Sequence, residues 1–100
     1  MSPHLSIDRE AVSAFCRRHH IARLALFGSV LRDDFAADSD VDVLVEFLPG
    51  HTPGLRFVTI EREFSELVHG RRVDMVTPKG LNARIRESVL NAAEPLYVAA

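Results

Sequence analysis

The chain has 100 residues, 47% of them hydrophobic, enough for one folded domain that buries roughly 60–70% of its unfolded surface and leaves little room for a second module. A formal net charge of −2 argues against a protein that grips a nucleic-acid duplex by its phosphates, so no direct nucleic-acid binding is expected. The single cysteine excludes an internal disulfide, no apolar segment reaches the ~20 residues of a membrane span, and the start Met1-Ser2-Pro3-His4 does not read as a signal peptide, so the expected location is cytoplasmic.

In chain order, residues 8–19 read as a first helix with Val12, Phe15 and Cys16 inward. Arg17, Arg18, His19 and His20 fall at its end, where cations suit the helix dipole, and the two histidines read as structural. The apolar run 24–27 is short and bounded by Gly28, which predicts a buried strand ending at a turn that tolerates close backbone approach. Ser29 reads as the N-cap of a short helix through roughly Asp34. Its free N–H groups would face the mouth of that turn, where hydrogen bonding and the helix dipole both favour an anionic phosphate.

Ten residues after Ser29 comes Asp40-Val41-Asp42, opening a strand over residues 41–47. Alternation puts Val41, Val43 and Val45 on one face and Asp40, Asp42 and Leu44 on the other, so the two carboxylates point the same way. Aspartate is depleted in strands, and like charges two residues apart on one face repel unless something neutralises them. Magnesium does so with hard oxygen ligands, completing its shell with water or substrate phosphates. The plainer alternative is a solvated strand end, with Asp38 and Ser39 forming the preceding turn.

The segment 49–54 reads as a loop, with Thr52 and Pro53 as N-cap and N1 of the next helix. In that helix Phe57, Ile60, Phe64 and Leu67 recur at helical spacing, a core stripe, while Glu61, Arg62, Glu63 and Glu66 face outward. The run 73–76 is a further strand interrupted by Asp74. If it lies beside the first acid-bearing strand, three carboxylates converge, two bridging cations and the third orienting or deprotonating a hydroxyl; otherwise Asp74 is an edge-strand acid paired with Arg71 or Arg72. Pro78 and Gly80 then break the chain, Leu81, Ile85 and Val89 mark a last helix ending before Pro95, and residues 96–98 add a terminal extended piece. The expected class is α/β (α+β), a small mixed sheet of three to four strands with flanking helices.

Competing motifs fail on spacing. Asp38, Asp40 and Asp42 mimic the first ligands of a calcium loop, but Val43 stands at its glycine position and Pro49 at its glutamate position. Neither a dinucleotide fingerprint nor a Walker A loop is present, and His4, His19, His20, His51, His69 and Cys16 lack zinc-ligand spacing.

Gly-Ser, ten residues, Asp-x-Asp between apolar strands, followed by a strand-borne Asp, resembles the nucleotidyltransferase superfamily of DNA polymerase beta, specifically its minimal (MNT, MntA-like) members. The resemblance runs from about Leu24 to Val76. It implies the nucleotidyltransferase fold over a single domain, residues 1–100, with phosphates bound at Gly28 and Ser29 and magnesium held by Asp40, Asp42 and Asp74; Ser39 is counted on the nucleotide side. One departure is Asp33 after Arg32, where members commonly have Arg-Gly, which adds a negative charge near the phosphate site. Relatives that modify aminoglycosides or extend polynucleotides add a helical domain for the second substrate, so the acceptor here is expected from elsewhere. The resemblance implies a helical HEPN-type toxin to which AMP is transferred from ATP, on a tyrosine, by an antitoxin. A binding-only antitoxin, favoured by Asp33, and a small-molecule nucleotidyltransferase completed by a separate helical subunit stay open, as does a homo-oligomer. The cleft border is expected to draw on Leu81, Ile85, Leu90, Leu96 and Tyr97, which are alternatively core residues of the last helix.

Overall fold

The computed structural model describes residues 7–28 and 40–99. Their elements run α1 (Arg9–Arg18), β1 (Ile21–Phe27), β2 (Val41–Phe47), α2 (Phe57–Leu67), β3 (Val73–Val76), a 3-10 turn at Pro78–Gly80, α3 (Ala83–Ala92) and β4 (Glu94–Val98). The four strands form one mixed sheet in the order β3-β2-β1-β4. β1 is antiparallel to β2 and to β4, whereas β2 and β3 run parallel, joined by the helical crossover that a parallel pair requires. This is the small mixed sheet with flanking helices expected of the sequence.

Alternation decides which face carries the core. Leu24 and Leu26 of β1, Val41, Val43 and Val45 of β2, Met75 of β3 and Leu96 of β4 are buried with Val12, Phe15 and Cys16 of α1 and Ile60 and Phe64 of α2. Phe15 and Phe64, with ring centroids 5.5 Å apart, join the two helices across that core. α1 starts where Asp8 caps it, its carboxylate accepting hydrogen bonds from the Glu10 and Ala11 N–H groups at 3.0 and 3.3 Å. Two left-handed residues make the sharp exits from the helices: His20, at φ 57°, turns α1 into β1, and His69, at φ 65°, lies between α2 and β3. No helix among the described residues is long and apolar enough to cross a membrane.

Several boundaries differ from the sequence reading. β1 begins at Ile21 rather than at residue 24, because Ile21 is buried and pairs with Phe47 across a bulge before Arg23. Thr52 and Pro53 do not open α2; it starts at Phe57 behind Arg56, whose side chain makes no cap bond, after a turn closed by Phe57 N–H donating to the Gly54 carbonyl at 3.1 Å. Leu81 lies outside α3, which Asn82 caps by accepting from the Arg84 N–H at 2.8 Å. No α3 residue is buried and Ile85 is half exposed, so the helix that Ile85 and Val89 mark presents no core face. Of the expected cleft-border residues, Leu96 is core and Tyr97 packs against it, both from β4, which is the terminal extended piece expected at 96–98 and begins at Glu94. Pro95, paired with Ala25, sits in an edge strand, where its missing donor costs least. Glu61 and Glu63 do not simply face outward. Glu61 accepts the Met75 N–H at 2.9 Å, tying α2 to β3, and Glu63 meets Arg18 and His19 of the α1 end.

Candidate active site

The parallel pairing sets Asp42 directly beside Asp74, with Val41 beside Val73 and Val43 beside Met75. Register partners in a parallel pair project to the same face, and neighbouring strands lie roughly 4.8 Å apart. Since Val43 and Met75 fill the helix-covered core, the two acids fall on the opposite face. Asp42 is half-buried and Asp74 exposed. Asp40, two residues before Asp42, is exposed on the same side, and the Arg72 Nε donates to its Oδ1 at 3.2 Å. Arg72 thus pairs with Asp40, not with Asp74 as in the alternative reading of the third acid.

Gly28 closes the site from β1. Phe27 is the register partner of Asp42, so the residue after it passes the carboxylate. Gly28 has φ +75°, and a Cβ built on it would stand 2.3 Å from Asp42 Oδ2. Both its backbone angle and its closeness to the acid therefore demand glycine. The structure brings together Gly28, Asp40, Asp42 and Asp74. Ser29, the short helix expected after it, Asp33 and Ser39 lie outside the described residues.

Among the described residues no group of three or more His, Cys, Asp or Glu side chains is placed to hold a metal ion. The three acids share a face without forming a ready-made cage. An ion of the magnesium class takes hard oxygen ligands and completes its octahedron with phosphate oxygens and water. The donors are hard carboxylate oxygens, and the glycine leaves room beside one of them for an anionic group.

A second group of polar residues, not legible from spacing, gathers at the other end of β1 and β2. The Leu48 N–H donates to the His20 carbonyl at 2.8 Å and the His51 N–H to the Leu48 carbonyl at 3.0 Å. This turn stacks the His51 ring on His20, with centroids 4.1 Å apart and an interplanar angle of 21°. Nearby, His19 is largely buried, its Nε2 bonded to Glu63 Oε2 and its ring edge-on to Phe15 at 4.9 Å.

A mixed sheet that carries acids on adjacent strands beside a glycine turn is the nucleotidyltransferase fold. The chain belongs to the nucleotidyltransferase domain family, whose description matches residues 8–95. It is similar to a protein adenylyltransferase, MntA, from Thermococcus cleftensis, 38% identical over 82 residues that cover 81% of this chain and 78% of the relative. A solved structure provisionally described as a minimal nucleotidyltransferase is 44% identical, covers 87% of each chain and superposes with a TM-score of 0.72. A chain of a toxin-antitoxin crystal structure with AMP-PNP shares the fold at 15% identity, with a TM-score of 0.72 over 93% of this chain and 75% of its own.

Proposed function

We propose that this enzyme is a magnesium-dependent protein adenylyltransferase that moves AMP from ATP to a tyrosine hydroxyl of a helical HEPN-type toxin, and so acts as its antitoxin in the cytoplasm. The observation that carries the reading is the side-by-side register of Asp42 and Asp74 next to Gly28. The similar Thermococcus protein is named for protein adenylylation, and a fold neighbour comes from a toxin-antitoxin pair with an ATP analogue, which supports the same direction. In this reading residues 1–100 act as one minimal domain, Gly28, Ser29 and Ser39 hold the triphosphate, and Asp40, Asp42 and Asp74 are the magnesium ligands. Bound there, the ion would neutralise phosphate charge and make the α-phosphorus a better electrophile. Asp74, the most open of the paired acids, orients the acceptor hydroxyl and takes its proton. A new oxygen–phosphorus bond forms at the α-phosphorus as its bridge to the β-phosphate breaks, and pyrophosphate leaves. The partner supplies the acceptor.

Mass spectrometry of the co-expressed helical partner is the direct test. An AMP adduct on one tyrosine, absent when Asp42→Asn replaces the native chain, is expected. A tight complex that never carries the adduct would overturn transfer in favour of neutralisation by binding.

A further inference from the structure

A cavity of about 300 Å³ at the far end of the sheet is lined by none of the three acids nor by Gly28. It is lined by Arg18, His19, His20, His51, Thr52 and Arg56, among others, and none of its described lining residues is Asp or Glu. The carboxylate in contact with this group, Glu63, is already shared between Arg18, at 2.9 Å, and His19. His19 Nδ1 is buried with no hydrogen-bond partner among the described residues. Arg56 and Ile60 bring the start of α2 to the same cavity, and that helix has neither a side-chain cap nor an acid in its first turn. Guanidinium groups, the imidazoles of His20 and His51, each with at least one N–H, and the positive end of an uncapped helix therefore converge on one small space. β2 runs from Asp42 to Phe47 between the acids and this end, on the order of 17 Å at the rise of a strand.

We infer that this cavity is a second site, one that binds a small phosphate-bearing anion. The volume lies at the lower end of the range for small-molecule pockets, which suits a phosphate or a mononucleotide rather than a polymer. Arg56 provides charge, and Arg18, whose Nη2 is held by Glu63, adds its remaining N–H groups. His20 and His51, stacked by the Leu48 turn, provide directed donors, and Thr52 adds a hydroxyl. The inference is independent of the adenylyl-transfer reading, because it uses none of the three acids.

The test is titration of the native chain with inorganic phosphate and, separately, with AMP in the absence of magnesium, followed through the histidine ring resonances. Saturable shifts of the His20 and His51 signals are expected. With inorganic phosphate active, the phosphate group itself is what the site recognises; with AMP alone active, the occupant is a nucleotide. The double substitution His51→Ala and Arg56→Ala, both at exposed positions, should weaken binding about tenfold or more, the loss of charge-assisted hydrogen bonds, with an unchanged circular dichroism spectrum. Asp42→Asn should leave it unaltered. No saturable shift with either anion, equal affinity in the double variant, or loss of binding in Asp42→Asn would overturn the site.

Discussion

Gly28 and Asp42 are locked to each other: a methyl group on the glycine would stand 2.3 Å from the Asp42 Oδ2, and its φ of +75° is one that side chains rarely adopt. Gly28→Ala is therefore expected to displace the carboxylate and close the turn to phosphate. Calorimetry should show magnesium-ATP binding about tenfold weaker or worse, as for the loss of a charge-assisted contact, while circular dichroism keeps its native form. Native affinity in this variant would remove the glycine from the nucleotide site.

The acids separate binding from chemistry. With Asp40 and Asp42 both replaced by Asn, ATP affinity should no longer respond to magnesium, because the hard ligands are gone. Asp74→Asn should still bind magnesium-ATP, a little less tightly for the loss of one ligand, yet lose roughly 10²–10⁴-fold in transfer, the usual worth of a positioned base. Single-turnover assays with the partner would register both effects.

Glu63 gives the fold an acid-sensitive tie. Burial works to raise its pKa, but the His19 hydrogen bond, the charges of His19 and Arg18 and the Arg18 hydrogen bond outweigh this and hold it below its ordinary value of 4.5. A depressed carboxylate contributes stability that is present above its unfolded pKa and lost as pH falls through the folded one. Thermal unfolding between pH 3 and 6 should accordingly show a steeper acid-side fall for the native chain than for Glu63→Gln. Parallel curves would show that the tie between α1 and α2 carries no net stability.

Cys16 sits in the core with its thiol pushed up to about 12, by burial first and against the lowering effect of Arg17. Thiolate is the reactive form, so alkylation of the native chain should be slow and should accelerate on denaturation. Fast native labelling, followed by mass spectrometry, would contradict this packing of α1.

Truncating the contact between α1 and α2 tests the core itself. Phe64 is fully buried against Phe15, and Phe64→Ala should cost about 3–5 kcal/mol in urea unfolding, since it removes a large ring and leaves a cavity.

The acid-bearing half of the fold was legible because its signals are local and periodic. Val41, Val43 and Val45 alternate with Asp42, and Asp74 interrupts a short apolar run, so strands and faces follow from a two-residue period. Whether β3 lies beside β2 was left conditional, and the parallel ladder supplies the answer. The end of the chain read less well. Leu81, Ile85 and Val89 have helical spacing, yet α3 buries none of its residues, and the terminal extended piece expected at 96–98 is an edge strand that already starts at Glu94, its start hidden by Pro95. The meeting of His20 and His51 was invisible for a different reason. It depends on the antiparallel return of β2 along β1, a contact between residues far apart in sequence that no local pattern encodes.

Met75 packs in the core and Asp74, its neighbour, faces away from it, so one strand position fixes both. A shift of β3 by a single residue against β2 would send the carboxylate into the apolar interior and the methionine out into water. The hydrophobic choice of register thereby polices the placement of the acid, because the paired carboxylates exist only where β3 lies in this register against β2. The same β2–β3 ladder that seats Met75 in the core therefore seats Asp74 beside Asp42, so one packing choice serves both.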